Sequence, residues 1–205
     1  MNHCIIHQEN FCTEVLGLAD VMNDVITCVN YIRSRGLNHR QFKAFIAELD
    51  SDYSDVVYFS AVRWLSRAAT LRRFWNLRKE IQSFMTSKQQ DVGYLSNDDW
   101  LNDIAFLTDI TQHLSDLNVK LQGKGQLVNK MFEHICSFEK KLKLFQSQLC
   151  RAALTQFPRE KKTYQIWIVP NMPKVLASCV LNLGVDFLIS GTMKWSSSSF
   201  LSHLM

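Results

Sequence analysis

The chain begins with a Cys4-x-x-His7 spacing, in which a sulfur and an imidazole can serve as two ligands of a tetrahedral metal or as a nucleophile beside its base. His3 and Cys12 stand close enough along the chain to be drawn in as further ligands. A structural zinc site wants about four such ligands, commonly as two close pairs, and no second pair with the same spacing follows downstream. With 6 cysteines and 6 histidines in the chain, a chance Cys/His pairing is cheap, so the spacing alone designates neither a metal nor a nucleophile. No cofactor or metal is expected. The acids Asp50, Asp52 and Asp55 fall in DSDYSD, a polar break where loop chemistry explains them better than catalysis.

The cationic residues divide more informatively. The net charge of +4 covers an acidic start, where residues 8–58 carry 8 acidic and 4 basic side chains. Residues 63–88 carry 1 acidic and 7 basic, and residues 120–162 carry 3 and 10. Arg63, Arg67, Arg72 and Arg73 in the first basic zone and Lys140, Lys141 and Lys143 in the second are the candidates for holding a polyanion. The arginines fall on more than one face of the helix expected for them, so they form no single stripe.

The elements that must position these residues read as helices. Hydrophobic residues make up 47% of the 205 residues and charged ones 20%, with 7 Gly and 3 Pro, which argues for a helical globular protein and against disorder or a propeller. The cysteines are irregularly spaced and no charged leader precedes an apolar core, so reduced thiols in the nucleus or cytosol are expected. The apolar run at 175–189 is shorter than the roughly 20 residues a membrane span needs and contains Asn182 and Asp186; no membrane association is expected.

Phe11, Val15, Leu18, Met22, Val25, Val29 and Ile32 alternate steps of four and three, predicting a long amphipathic helix that stops at Gly36. Asn38 is expected to cap a shorter helix carrying Phe42, Phe45, Ile46 and Leu49. VVYFSAV at 56–62 is the one isolated strand candidate. From Trp64 a helix is predicted to run through Ala68, Leu71, Phe74, Trp75, Leu77, Ile81 and Phe84. Ser96-x-x-Asp99 reads as a capping box before Trp100, Leu107, Ile110, Leu114, Leu117 and Leu121. After Gly123-Lys124-Gly125, Val128, Met131, Ile135, Phe138, Leu142, Phe145 and Leu149 repeat the same near-heptad period, predicting a long antiparallel αα-hairpin.

The order of HCIIHQ, NYIRSRGLNHRQFKAFIAELDSDYSDVVYFSAVRWLSR and FLTDITQHLSDLNVKLQGKGQL resembles the hAT-superfamily transposases and their domesticated vertebrate descendants. Within that group the chain looks most like the general transcription factor II-I repeat domain-containing, zinc finger BED-type and SCAN domain-containing proteins. The resemblance covers roughly residues 1–158 and leaves 159–205 as an unmatched tail without sustained helical period except around 175–189. It implies a mainly α fold: part of an RNase H-like transposase domain, dominated by its helical insertion.

Cys4 and His7 match the family's motif beside the active site, and Arg63-Trp64 matches a pair associated with DNA at the cleaved end, where an indole can stack on an exposed base. Without that role, Trp64 would be the first core residue of its helix and Arg63 a surface cation. The family's chemistry uses three carboxylates to hold two metals. Two of them should precede HCIIH, where only two residues stand, and the third should follow the helical insertion, where the match ends. The expectation is therefore a non-enzymatic domesticated transposase fragment associated with DNA or chromatin in the nucleus, without a small-molecule substrate. The alternatives are a helical protein-interaction module, cytoplasmic or nuclear, that pairs with a partner or with itself through its seams, and a truncated product without a selected function.

Overall fold

The computed structural model describes residues 18–49, 53–57, 64–122, 127–151 and 159. Among them are six α-helices and no strand: α1 (Ala19–Ser34), α2 (Gly36–Glu48), α3 (Trp64–Asn76), α4 (Arg78–Ser87), α5 (Asp98–Leu121) and α6 (Val128–Cys150), with a 3-10 turn at Gly93–Ser96. The mainly α class is as the periodicity predicts. None of the described helices is long and apolar enough to cross a membrane.

α1 buries Val21, Met22, Val25, Cys28, Val29 and Ile32, the expected stripe. Its end differs from expectation. Gly36 is the first residue of α2, not a stop, because a single extended residue, Arg35, suffices to turn the chain. Asn38 does not cap α2: its side-chain amide lies inside the helix and donates to the Tyr31 carbonyl at 3.1 Å. That carbonyl is one of the last four of α1, which lack a partner in their own helix, so Asn38 ties the α1 end to α2.

The predicted single helix after Trp64 is divided at Leu77. The hydrogen-bond ladder runs on across the division, with Leu77 N–H to Arg73 O at 3.0 Å and Ile81 N–H to Leu77 O at 2.8 Å. At this division the Arg78 guanidinium donates to the Trp75 carbonyl at 2.8 Å. The apolar period survives, and Ala68, Leu71, Phe74, Leu77, Ile81 and Phe84 are all buried.

α5 is the central element. It packs against α3, α6, α1 and the 3-10 turn, while α2 packs on α1 and α4. Every residue from Ile104 to Thr111 is buried. The buried Thr108 and Thr111 hydroxyls are satisfied by the helix's own backbone, Thr108 donating to the Ile104 carbonyl at 2.7 Å and Thr111 to the Leu107 carbonyl at 2.6 Å. The cap lies one residue past the expected Ser96: Asn97 Oδ1 accepts from the N–H groups of Asp99 and Trp100 at 2.8 and 3.1 Å.

The seams predicted on the hairpin face each other. Leu107, Ile110, Leu114, Leu117 and Leu121 on α5 and Ile135, Phe138, Leu142 and Phe145 on α6 are buried. Only residues 122–127 separate α5 from α6, so the packed pair runs antiparallel, with Lys141 on α6 meeting His113 on α5. Their apolar positions are thus occupied within the chain.

Of the strand candidate, Val56 and Val57 are described and lie outside any ladder. The buried Val56 offers its carbonyl to the Arg33 guanidinium at 2.8 Å instead; residues 58–62 lie outside the described residues.

Candidate nucleic-acid interface

The first basic zone is sorted by burial. Leu71 and Phe74 face α5, which turns the flanking Arg72 outward and Arg73 toward the preceding loop. Arg72 is exposed and reaches Gln112 Oε1 on α5 at 3.4 Å. Arg73 donates to the Asp55 carbonyl at 2.8 Å and lies over the Tyr53 ring at 4.2 Å. Arg67 is half-buried. Trp64 is the first residue of α3, and Arg63, Cys4 and His7 lie outside the described residues.

Asp55 fixes the loop ahead of α3. Its Oδ2 meets Arg33 Nη1 of α1 at 2.9 Å and His39 Nε2 of α2 at 2.7 Å, while its Oδ1 accepts the Val56 N–H at 2.8 Å. With Arg73, three helices hold one acidic loop residue. The sequence places Asp55 in a loop; its partners lie 16 to 22 residues away and carry no local signal.

The second basic zone divides as well. Ile135, Phe138, Leu142 and Phe145 turn one face of α6 to α5, which leaves Lys140 and Lys143 exposed. Lys141 lies at the edge of the interface, its ammonium donating to His113 Nδ1 at 3.2 Å and standing 5.4 Å from the Phe145 ring centroid. Burial pulls the Lys141 pKa down; Asp116 opposes this and Lys120 adds to it. Lys120, in the last turn of α5, is exposed.

The structure therefore brings the two basic zones together. Arg72 reaches α5 at Gln112 from α3, and Lys141 reaches it at the next residue, His113, from α6. Gln112 in turn donates to Asp116 Oδ1 at 2.9 Å, one turn on. The result is a cationic edge of Arg72, Lys120 and Lys141 along one face of α5, with Asp116 as its acid, while Lys140 and Lys143 are exposed on other faces of α6. Chemically it can hold phosphates by charge and hydrogen bond.

Sequence reasoning misses His113, Lys120 and the buried pair Asp109–Arg159. Asp109 lies almost fully buried on α5 one turn from His113, where burial raises its pKa and Arg159 counters. A charge inside the apolar series of α5 is the signal that could have found it. Among the described residues no cluster of three or more His, Cys, Asp or Glu could hold a metal.

The geometry defines an all-helical domain with a basic edge built on its central helix. The model of the FAM200/GTF2IRD2 helical domain matches residues 3–150, and the chain belongs to that family. It is 43% identical over 158 residues to general transcription factor II-I repeat domain-containing protein 2 of Bos taurus and 45% identical over 158 residues to the same protein of Mus musculus. Each match covers 77% of this chain and 17% of the relative, so the chain spans about a sixth of the length of these curated relatives. No solved structure matches.

Proposed function

We propose that the chain is a non-enzymatic, domesticated transposase-derived helical domain that acts in the nucleus by holding nucleic-acid phosphates along the α5 edge. The observation that carries this reading is the meeting of Arg72 and Lys141 at the adjacent α5 residues Gln112 and His113, which joins two basic segments far apart in sequence. The transcription-factor names of the relatives support a nuclear setting. The order of phrases shared with hAT transposases supports the derivation and adds Arg63-Trp64 as the pair that would meet an exposed base. Occupation of the α5 and α6 seams within the chain counts against pairing with a second copy through them.

The test is titration of random-sequence duplex DNA with the full chain between 50 and 200 mM salt. Phosphate contacts release counterions, so the logarithm of affinity should fall steeply with the logarithm of salt. The double variant Arg72→Ala/Lys120→Ala should flatten that slope by about 1.8, roughly 0.9 for each lost contact. Trp64→Ala should weaken single-stranded DNA binding by about 1–3 kcal/mol if its ring stacks on a base. A folded chain that binds no DNA, or binds without salt dependence, overturns the phosphate reading.

A further inference from the structure

Lys141 stands apart from the other lysines of α6. Its neighbours Lys140 and Lys143 project into solvent. The Lys141 amine instead lies at the rim of the α5–α6 interface, 3.2 Å from His113 Nδ1, with the buried Phe145 ring 5.4 Å away and the imidazole itself 4.7 Å from that ring. Four residues earlier on α5, Asp109 bears on His113 electrostatically. An amine flanked by an imidazole and an aromatic wall, half-buried but still reachable, is arranged as a nucleophile.

We propose that Lys141 is a site of covalent acylation, taking an acyl group from a small activated donor of the thioester class with His113 as proton acceptor. The Nζ lone pair attacks the thioester carbonyl, the C–S bond breaks, and the thiolate leaves. The proton released from Nζ passes to His113 Nδ1 and then to the departing thiolate, so the products are an amide and a free thiol and no oxidant or reductant is needed. Partial burial supports this by favouring the neutral amine, the only form with a free lone pair. The charged groups that bear on the amine are Asp116, which holds its proton on, and Lys120, which helps remove it. Acylation would replace a cation by a neutral amide and subtract one charge from the edge; that consequence rests on the phosphate reading, whereas the reactivity does not.

The experiment incubates the full chain with S-acetyl-N-acetylcysteamine at pH 7.4 and follows acetylation of each lysine by mass spectrometry. Lys140 and Lys143 are internal references on the same helix. Lys141 should be acetylated at least about threefold faster than either, because a larger neutral fraction outweighs the lower basicity. Its rate should also reach half-maximum at a lower pH than theirs, because burial favours the neutral amine. His113→Ala, with helicity checked by circular dichroism, should slow Lys141 and leave Lys140 and Lys143 unchanged. Equal or slower labelling of Lys141 in the native chain overturns the proposal, whether or not DNA binds. DNA affinity of Lys141→Gln, measured separately, reports only on the consequence.

Discussion

Arg159 closes over the carboxylate of Asp109 in the middle of α5, its backbone N–H donating to Oδ2 at 3.2 Å and its guanidinium to Oδ1. The Asp109 side chain is 2% exposed, so its charge has little access to water. Burial raises its pKa above the ordinary aspartate value and the Arg159 contacts lower it, with burial the larger effect. The folded state therefore keeps this proton to higher pH than the unfolded chain. Asp109 contributes most favourably below the unfolded value of about 3.9, and the contribution is lost as pH rises through the folded value.

Removing Arg159 should sharpen this dependence. Arg159→Ala keeps the residue 159 N–H but leaves the buried carboxylate without its guanidinium, and should cost about 3 kcal/mol at pH 7. Near pH 4 the cost should be smaller, because the carboxyl can take a proton in place of the guanidinium. Urea unfolding at the two pH values measures the difference. An equal cost at both would mean that Arg159 contributes by packing and not by charge.

Asn97 and Ser96 should separate clearly. Asn97→Ala removes a side chain that accepts from two otherwise unpaired N–H groups at the start of α5 and should cost about 1 kcal/mol. Ser96 Oγ accepts from Gln82 Nε2 at 2.6 Å in an exposed position, so Ser96→Ala should cost about half that or less. Denaturant midpoints of the two variants decide which residue is the cap.

Gln89 ends α4 in the left-handed region, with φ of 56°. Its N–H bonds to the Thr86 carbonyl at 2.9 Å and the Gln90 N–H to the Met85 carbonyl at 3.1 Å, the paired closure usually built on glycine. Gln89→Gly should therefore stabilise the chain by about 0.5–1 kcal/mol, since relief of the Cβ conflict exceeds the added freedom of the unfolded chain. A thermal midpoint that falls would show that the glutamine side chain makes up for its backbone strain.

The fold was legible where burial writes a period into the sequence. The stripes of α1, α3 and α6 were readable because each turns one face to the core, and α5, buried on several sides over Ile104–Thr111, still carried its period in Leu107, Ile110, Leu114, Leu117 and Leu121. The ends were not, because Asn38, Asn97 and Gln89 act through hydrogen bonds that several residue types can make. For the basic edge, the sequence showed which residues are cationic but not that Lys141 turns toward His113 or Arg73 toward Asp55. Those directions depend on which neighbouring helix lies beside each residue, and charge content carries no such information.

Asp55 offers the most direct test of how the segment before α3 is held. Its carboxylate joins Arg33, His39 and the Val56 N–H, and its carbonyl takes Arg73. Asp55→Ala keeps the carbonyl but removes the carboxylate, and should cost about 1–2 kcal/mol, below the figure for a fully buried pair because Arg33, His39 and Asp55 are each about a quarter exposed. Asp55→Asn should recover only a small part of this, because its single amide oxygen can accept from Arg33 or from the Val56 N–H but not both, and its NH2 faces the other donor. The loss should also be local. Amide exchange at Val56 should accelerate strongly in Asp55→Ala, while amides in the middle of α5 should change only as much as global stability does. Uniform acceleration throughout the chain would instead make Asp55 a general contributor to stability, with no special hold on the path into α3.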